Sequence, residues 1–481
     1  MFGLVKRVSY YKSFLLDPVP QFLSVKKRLI PIFAQVILLK TVFMPRKILL
    51  ARLSLLLLLV LAGMAAFLPH HHPEAAPNAF QPADIAWMLT ASGLVLFMTP
   101  GLAFFYGGMV SRGNVISTML HSFIALGLIS VLWYVVGFSL AFGDDIGGVI
   151  GDPRTFFMFN NVGTAPHARL GTTMPLVLFA AFQLKFAIIT PALISGGFAE
   201  RIRFWGYLIF ICLFSLLIYC PLAHWAWHPD GFLAQWGVLD FAGGTVVHIS
   251  AGFAALAGAM AIGRRRVHLD GHAHVPVNVP FVILGTGLLW FGWFGFNAGS
   301  AFGANATAVQ AFFTTHLASA AAMLTWMLLE SARGERPSAM GAAIGAVVGL
   351  VAITPAAGFV AYGPALAIGI LASGVSYGAV LLKNRTTLDD TLDVFPCHGV
   401  GGIVGMLATA LFAQKGGLFT GGGPHLLLMH LLTLLIVGTF TFGGSWLLYK
   451  VTNLIVPIRV NAENEAHGLD TSQHGETILV A

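Results

Sequence analysis

The sequence predicts an all-α polytopic membrane protein of eleven transmembrane helices, a five-plus-five inverted repeat with one extra helix. Three observations predict this class. Hydrophobic residues make up 57% of the 481-residue chain and charged residues only 9%, against roughly 25% charged in soluble domains. Apolar stretches of about 20 residues, the length that crosses a bilayer, recur between short loops. A tetrapeptide, Ile189-Thr190-Pro191-Ala192, returns as Ile353-Thr354-Pro355-Ala356. Twenty-six basic and 19 acidic side chains cannot coat a body of 51.3 kDa with charge, which excludes a soluble enzyme of ordinary surface. The net charge of +7 is scattered singly or in short runs between spans, so it reads as topology rather than as a nucleic-acid face.

The chain divides into residues 1–82, an N-terminal extension; 83–455, the membrane domain; and 456–481, a cytoplasmic tail. Arg46, Lys47 and Arg52 precede a leucine run, Leu53 to Leu61, and then Ala62, Gly63, Ala65 and Ala66, which is the anatomy of a signal peptide. Met44 is a candidate start, leaving residues 1–43 and their basic patch Lys26-Lys27-Arg28 as an upstream extension. His70 to Pro82, rich in Pro and His, reads as an exported linker. Its run His70-His71-His72 is read as solvated rather than metal-binding.

Eleven spans follow, centred near Leu96, Leu128, Phe186, Leu213, Ala254, Leu288, Ala320, Val348, Leu371, Gly405 and Leu435. Alternate loops carry Arg112, Arg201, Arg203, Arg264 to Arg266, Arg333, Arg336, Lys383 and Arg385, whereas the opposite loops carry Arg154, Arg169 and Lys415. The positive-inside rule then predicts an outside N-terminus, an inside C-terminus and residence in the cell inner (plasma) membrane. His248 in the fifth span and His398 in the tenth supply one histidine per half, as an inverted repeat arranges around a midplane site. Cys212, Cys220 and Cys397, all inside spans, support neither a disulfide framework nor a metal site.

Ionisable groups at membrane depth cost roughly 2.5–3.5 kcal/mol each on insertion scales. His248 and His398 lie among glycines that permit close helix approach, and they are either lumen groups or core histidines bonded to carbonyls. Phe182, Phe186, Trp227, Trp293, Phe294 and Phe296 form an aromatic constellation. Such rings commonly pack or belt a membrane, but ring faces can also hold a cation without a fixed countercharge. Ser300 adds a hydroxyl one turn past Phe296. The acidic candidates are Asp240, eight residues before His248, and the trio Asp389, Asp390 and Asp393 before His398; Asp240 is either a helix cap or an ion contact, and Asp393 repeats its pattern before the tenth span. Lys185 is read as snorkelling, without a role. No GxxxxGK[ST] loop, phosphorylatable aspartate motif, metal constellation or activated nucleophile is present in the sequence. Haem ligation by the span histidines is set aside. The prediction is a protein that is not an enzyme and uses no cofactor.

The stretches Phe104-Phe105-Tyr106-Gly107-Gly108, Phe182-Gln183 through Ala192, Ala199-Glu200-Arg201, Asp240 to His248, Gly292 to Ser300, Asp393-Val394-Phe395 and His398-Gly399-Val400 resemble the ammonium transporter (Amt/Mep/Rh) family on its bacterial Amt side, from about Ala83 to Glu476. The resemblance implies an external ammonium site of Trp227, Phe186 and Ser300, supported by Asp240; a gate of Phe186 and Phe296; and pore-lining twin histidines, His248 and His398, sharing a hydrogen bond. The interval from Trp227 to Asp240 is one residue longer than in the family pattern, which leaves Trp225 as an alternative to Trp227. The resemblance also implies a homotrimer with one pore per subunit. Through Gly468-Leu469-Asp470 and His474-Gly475-Glu476 it implies a tail that couples subunits and meets a PII-type regulatory protein.

The expected activity is ammonium recruitment, deprotonation near the Phe gate and conduction of neutral ammonia, with methylammonium as an analogue and coupled proton transfer left open. A bare ion in an apolar lumen is too costly, and potassium can neither donate N–H bonds nor lose a proton. The alternatives are an ammonium sensor, for which relatives carry an appended signalling domain, and an Rh-like neutral gas channel, on which an aromatic cage would be wasted.

Overall fold

The computed structural model describes residues 46–67, 69–76, 80–271 and 275–478. Residues 1–45, with the candidate start Met44 and the basic patch Lys26-Lys27-Arg28, lie outside the described residues. The chain separates into two units, Met1–Pro69 and His70–Ala481. In the first, the leucine-rich run forms one helix, Arg46–Phe67.

Among the described residues of the second unit ten helices are long and apolar enough to cross a membrane: α1 Pro82–Met109, α2 Arg112–Phe142, α3 Leu176–Phe198, α4 Phe204–Gln235, α5 Gly244–Ile262, α6 Val279–Gly299, α7 Ala306–Ala332, α9 Tyr362–Lys383, α10 Phe395–Phe412 and α11 His425–Ile455. The span expected near Val348 is the shorter apolar helix α8, Ala339–Ile353. It ends just before Thr354-Pro355, where the chain turns through Phe359. This is therefore a multi-pass helical membrane protein. The only named sheet among the described residues is an antiparallel pair, β1 Asp145–Ile146 with β2 Ile150–Gly151.

The first helix of each half meets its counterpart: α1 and α6 share the most extensive contact among the described elements. Glycines make this possible. A Cβ at Gly285 of α6 would run into the backbone of Phe105 on α1, and one at Gly295 would meet the Ala91 carbonyl; small residues allow such backbone approach where lipid supplies no hydrophobic drive between helices.

The Arg-rich loops gather at one end with the tail. Arg203 N–H donates to the Ile458 carbonyl and Val460 N–H to that of Arg201. Beside them, buried Arg265 donates to both Asp389 carboxylate oxygens, and its Nη1 lies 2.8 Å from Glu200. The tail closes this end: the Asp470 carboxylate accepts N–H bonds from Ile116 and Ser117 at the start of α2, at 3.1 and 2.7 Å. At the other end, the segment expected to be a solvated linker docks instead. Asn161 N–H donates to the His71 carbonyl and Ala165 N–H to that of Pro73, because this segment supplies carbonyls to a loop with free donors.

Candidate functional site

Two Asp residues set the geometry of the site. Asp240 accepts backbone N–H bonds from Gly243, Gly244 and Thr245 at 2.9, 2.6 and 2.8 Å, plus the Thr245 hydroxyl. Those are the orphan donors at the start of α5, so the capping reading describes Asp240. In the second half the equivalent cap is Asp390, not Asp393. Asp390 accepts from Val394 and Phe395 at 3.1 and 2.7 Å, while Asp393 lies 2.6 Å from Lys383 Nζ. Spacing explains the correction: Asp240 precedes His248, and Asp390 precedes His398, by eight residues in each case. Both helices then open on a π-helical turn, Gly244–Ile249 and Phe395–Val400, and each turn carries its histidine. Such wide turns rotate side chains out of ordinary helical register and are frequent at functional sites.

The two histidine helices meet where neither has a side chain. A Cβ at Gly252 would collide with the backbone N and Cα of Gly399. This contact brings His248 Nδ1 within 3.3 Å of His398 Nδ1. The rings are buried, with centroids 5.4 Å apart and planes tilted by 28°. They line an internal cavity otherwise walled by apolar side chains, among them Leu102, Leu193, Val247 and Val347, and capped by Phe296. His248 is also stacked on Trp293, at 5.4 Å, and its Nε2 is 3.3 Å from Thr354 Oγ1.

On the far side of Phe296 stands Phe186, stacked on it with centroids 4.2 Å apart and planes 28° apart. Beyond that pair opens a second cavity lined by Trp227, Phe186, Ser300, Gln183, Phe241 and Phe302, among others. Trp227 meets Phe186 edge to face at 5.7 Å, and its Nε1 donates to the Asp240 carbonyl at 3.1 Å. The cap thus holds the indole from behind and does not line the cavity. Ser300 donates its hydroxyl to the Phe296 carbonyl at 2.9 Å, leaving its lone pairs as acceptors. Trp225 is instead turned away, bonded to the Val149 carbonyl and packed on Phe232 and Phe440.

The residues Trp227, Phe186, Ser300, Phe296, His248 and His398 therefore lie along one line from an outer cavity, through a closed ring pair, to an inner one. Not every aromatic joins it: Phe294 stacks on Phe312 at 4.1 Å, and Phe182 packs behind Phe186 at 4.9 Å. Lys185 is half-buried on α3. Two residues outside the sequence candidates, Thr354 and Gly252, belong to the site, as does Asp390 of the acidic trio, which takes the cap position expected of Asp393. Asp390 was legible, since the eight-residue interval to the histidine repeats. Thr354 stood inside the repeated tetrapeptide, but its contact with a ring on another span has no local signature.

The profile of the Ammonium Transporter Family matches residues 86–478. The chain belongs to that family. An ammonium transporter of Aquifex aeolicus is 45% identical over 402 residues, covering 82% of this chain and 92% of its own. One from Bacillus subtilis is 42% identical over 407 residues, covering 82% and 98%. Among solved structures, Candida albicans Mep2 superposes with a TM-score of 0.76 at 33% identity, over 80% of this chain and 88% of that one.

The described residues include no group of three or more His, Cys, Asp or Glu side chains arranged to hold a metal ion, and Cys212, Cys220 and Cys397 are free thiols.

Proposed function

We propose that this chain moves ammonium across the cell inner (plasma) membrane as neutral ammonia, through a pore inside each subunit. One observation carries the reading: a closed Phe186–Phe296 stack separates an outer cavity of ring faces and a hydroxyl, whose lining guanidinium, Arg169, is paired with Asp230, from an inner apolar cavity with two histidines. The outer cavity suits a cation that donates N–H bonds. Trp227 and Phe186 offer ring faces worth about 0.5–2 kcal/mol each, and Ser300 offers lone pairs. No carboxylate of Asp240 enters, since all its acceptor capacity is turned to the α5 N-terminus. The inner cavity suits a neutral molecule, because a bare ion between aliphatic walls costs far more than the two imidazoles return.

The ion therefore gives up a proton to water in the outer cavity, NH4+ and H2O giving NH3 and H3O+, before the stack opens. Ammonia then passes beneath Phe296 along His248 and His398. Potassium, of similar size, has no proton to give and no N–H to donate, so it stays outside. The Arg-rich end with the tail faces the cytoplasm by the positive-inside rule. The resemblance supports reading the chain as a homotrimer in which this tail couples subunits and meets a PII-type regulatory protein. The Arg46–Phe67 helix is read as a signal peptide.

Uptake of labelled methylammonium by cells lacking their own ammonium transporters tests the activity. Expression of this chain restores saturable uptake, and replacing both histidines by apolar residues abolishes proton-coupled selectivity. Restored uptake with potassium admitted equally well would refute the mechanism.

A further inference from the structure

The hydroxyl of Thr354 lies at a junction of three groups that leave it a single role toward each. Its oxygen is 2.8 Å from the Leu350 carbonyl oxygen, 2.9 Å from Trp293 Nε1 and 3.3 Å from His248 Nε2. A carbonyl only accepts, and an indole N–H only donates. The one hydroxyl hydrogen is therefore committed to Leu350, and Trp293 fills one lone pair. Toward His248 only the other lone pair remains, so Nε2 must bring the hydrogen. In a neutral imidazole the second nitrogen is then bare. His248 Nδ1 thus accepts across the 3.3 Å contact from His398 Nδ1. His398 carries its hydrogen on Nδ1, and its bare nitrogen is Nε2.

We infer that Thr354 is a positioning residue that fixes the tautomers of both pore histidines, His248 as the Nε2–H form and His398 as the Nδ1–H form, making His398 Nε2 the basic lone pair this pair offers to the substrate. The inference rests on the reading of the inner cavity as the ammonia path. Two consequences follow. Neutral ammonia donates an N–H to His398 rather than to His248. A proton taken up at His398 Nε2 cannot leave through His248, because Thr354 accepts there and has no hydrogen free to pass on. The two halves are thereby unequal despite the repeat. Thr190, the counterpart of Thr354, donates its hydroxyl to the Phe186 carbonyl at 2.7 Å, which ties it to the ring gate.

The test is solid-state NMR of the full chain, labelled with 15N-histidine and reconstituted in lipid bilayers. The two rings are assigned by difference spectra against His248→Asn and His398→Asn. In the unsubstituted protein His248 is expected as Nε2–H and His398 as Nδ1–H. Thr354→Val keeps the shape and removes the acceptor, and it lowers the tautomer preference of His248 by about tenfold, the worth of one hydrogen bond. Thr354→Ser restores both the tautomers and methylammonium uptake. Reversed tautomers in the unsubstituted protein, or unchanged tautomers in Thr354→Val, overturn the inference. The first of these outcomes needs no Thr354 variant to fold. Absence of uptake by a protein with the expected tautomers would overturn the transport reading alone, whereas uptake with reversed tautomers would overturn this inference alone.

Discussion

At the scale of single residues, the candidate site separates groups that line its two cavities from groups that hold them. Trp227 does the first: replacing it by Leu removes one ring face from the outer cavity. The expected outcome is an apparent KM for methylammonium raised by up to about tenfold, with an unchanged melting temperature in detergent. Asp240 does the second. Asp240→Ala strips the cap from three backbone donors and a hydroxyl, so a loss of about 1–3 kcal/mol of stability is expected, read by thermal unfolding. A stable Asp240→Ala protein that only binds ammonium poorly would mean that the carboxylate contacts the ion after all. The histidines and Trp227 were legible in the sequence because imidazoles and ring clusters are costly or conspicuous among aliphatic residues. Thr354 was not. Hydroxyls in these spans mostly return to the carbonyl four residues back, as Thr190, Ser250, Ser300 and Thr409 all do, and nothing local marks the one that also meets a histidine.

At the scale of elements, the twin-histidine contact depends on how closely α5 and α10 cross. Gly252→Ala forces these backbones apart, and overpacking of this kind costs typically about 1–3 kcal/mol. The measurable outcome is loss of methylammonium uptake from protein that still reaches the membrane; normal uptake would show that the histidine pair tolerates separation. The loop ahead of α10 makes a pH prediction. Burial alone would raise the Asp389 carboxyl, but the guanidinium groups of Arg201 and Arg265 outweigh it and hold the group well below the usual carboxylate range. Its stabilisation is therefore complete above the unfolded value of about 4 and is lost as pH falls below it. Asp389→Asn should cost about 3 kcal/mol at neutral pH by stranding buried arginines, and it should flatten the acid limb of the melting-temperature profile. An unaltered acid limb would remove Asp389 from the account. Spans and loop charges were legible here because hydropathy and charge are summed over many residues. The π-helical turns were not, since one extra residue per turn leaves the apolar pattern intact.

For the whole molecule, the inverted repeat explains why two short sequence matches were informative. The recurring Ile-Thr-Pro-Ala lies late in α3 and at the end of α8, and the chain in or just after it meets the cap loop of the opposite half: Phe241 N–H donates to the Pro355 carbonyl, and Leu392 N–H to that of Gly196. Symmetry of this kind places one histidine from each half at mid-depth, and it follows from topology rather than from local propensity. The eighth helix, Ala339–Ile353, is shorter than the other spans because the backbone leaves the helix at Thr354-Pro355 while the apolar run continues through Ala356-Ala357. The reading of the N-terminus is checked by mass spectrometry of purified protein: cleavage predicts a mature chain beginning after the leucine run, and a start well upstream of Leu53 would contradict it. The central claim is that an aromatic outer cavity selects ammonium and the histidine-lined cavity passes ammonia. Its most direct test is ammonium-evoked current and vesicle alkalinisation in proteoliposomes on a supported membrane. The account predicts a saturable ammonium response, no potassium response, and loss of the ammonium selectivity when His248 and His398 are both made apolar. An unchanged response with unchanged potassium exclusion in that double variant would contradict it.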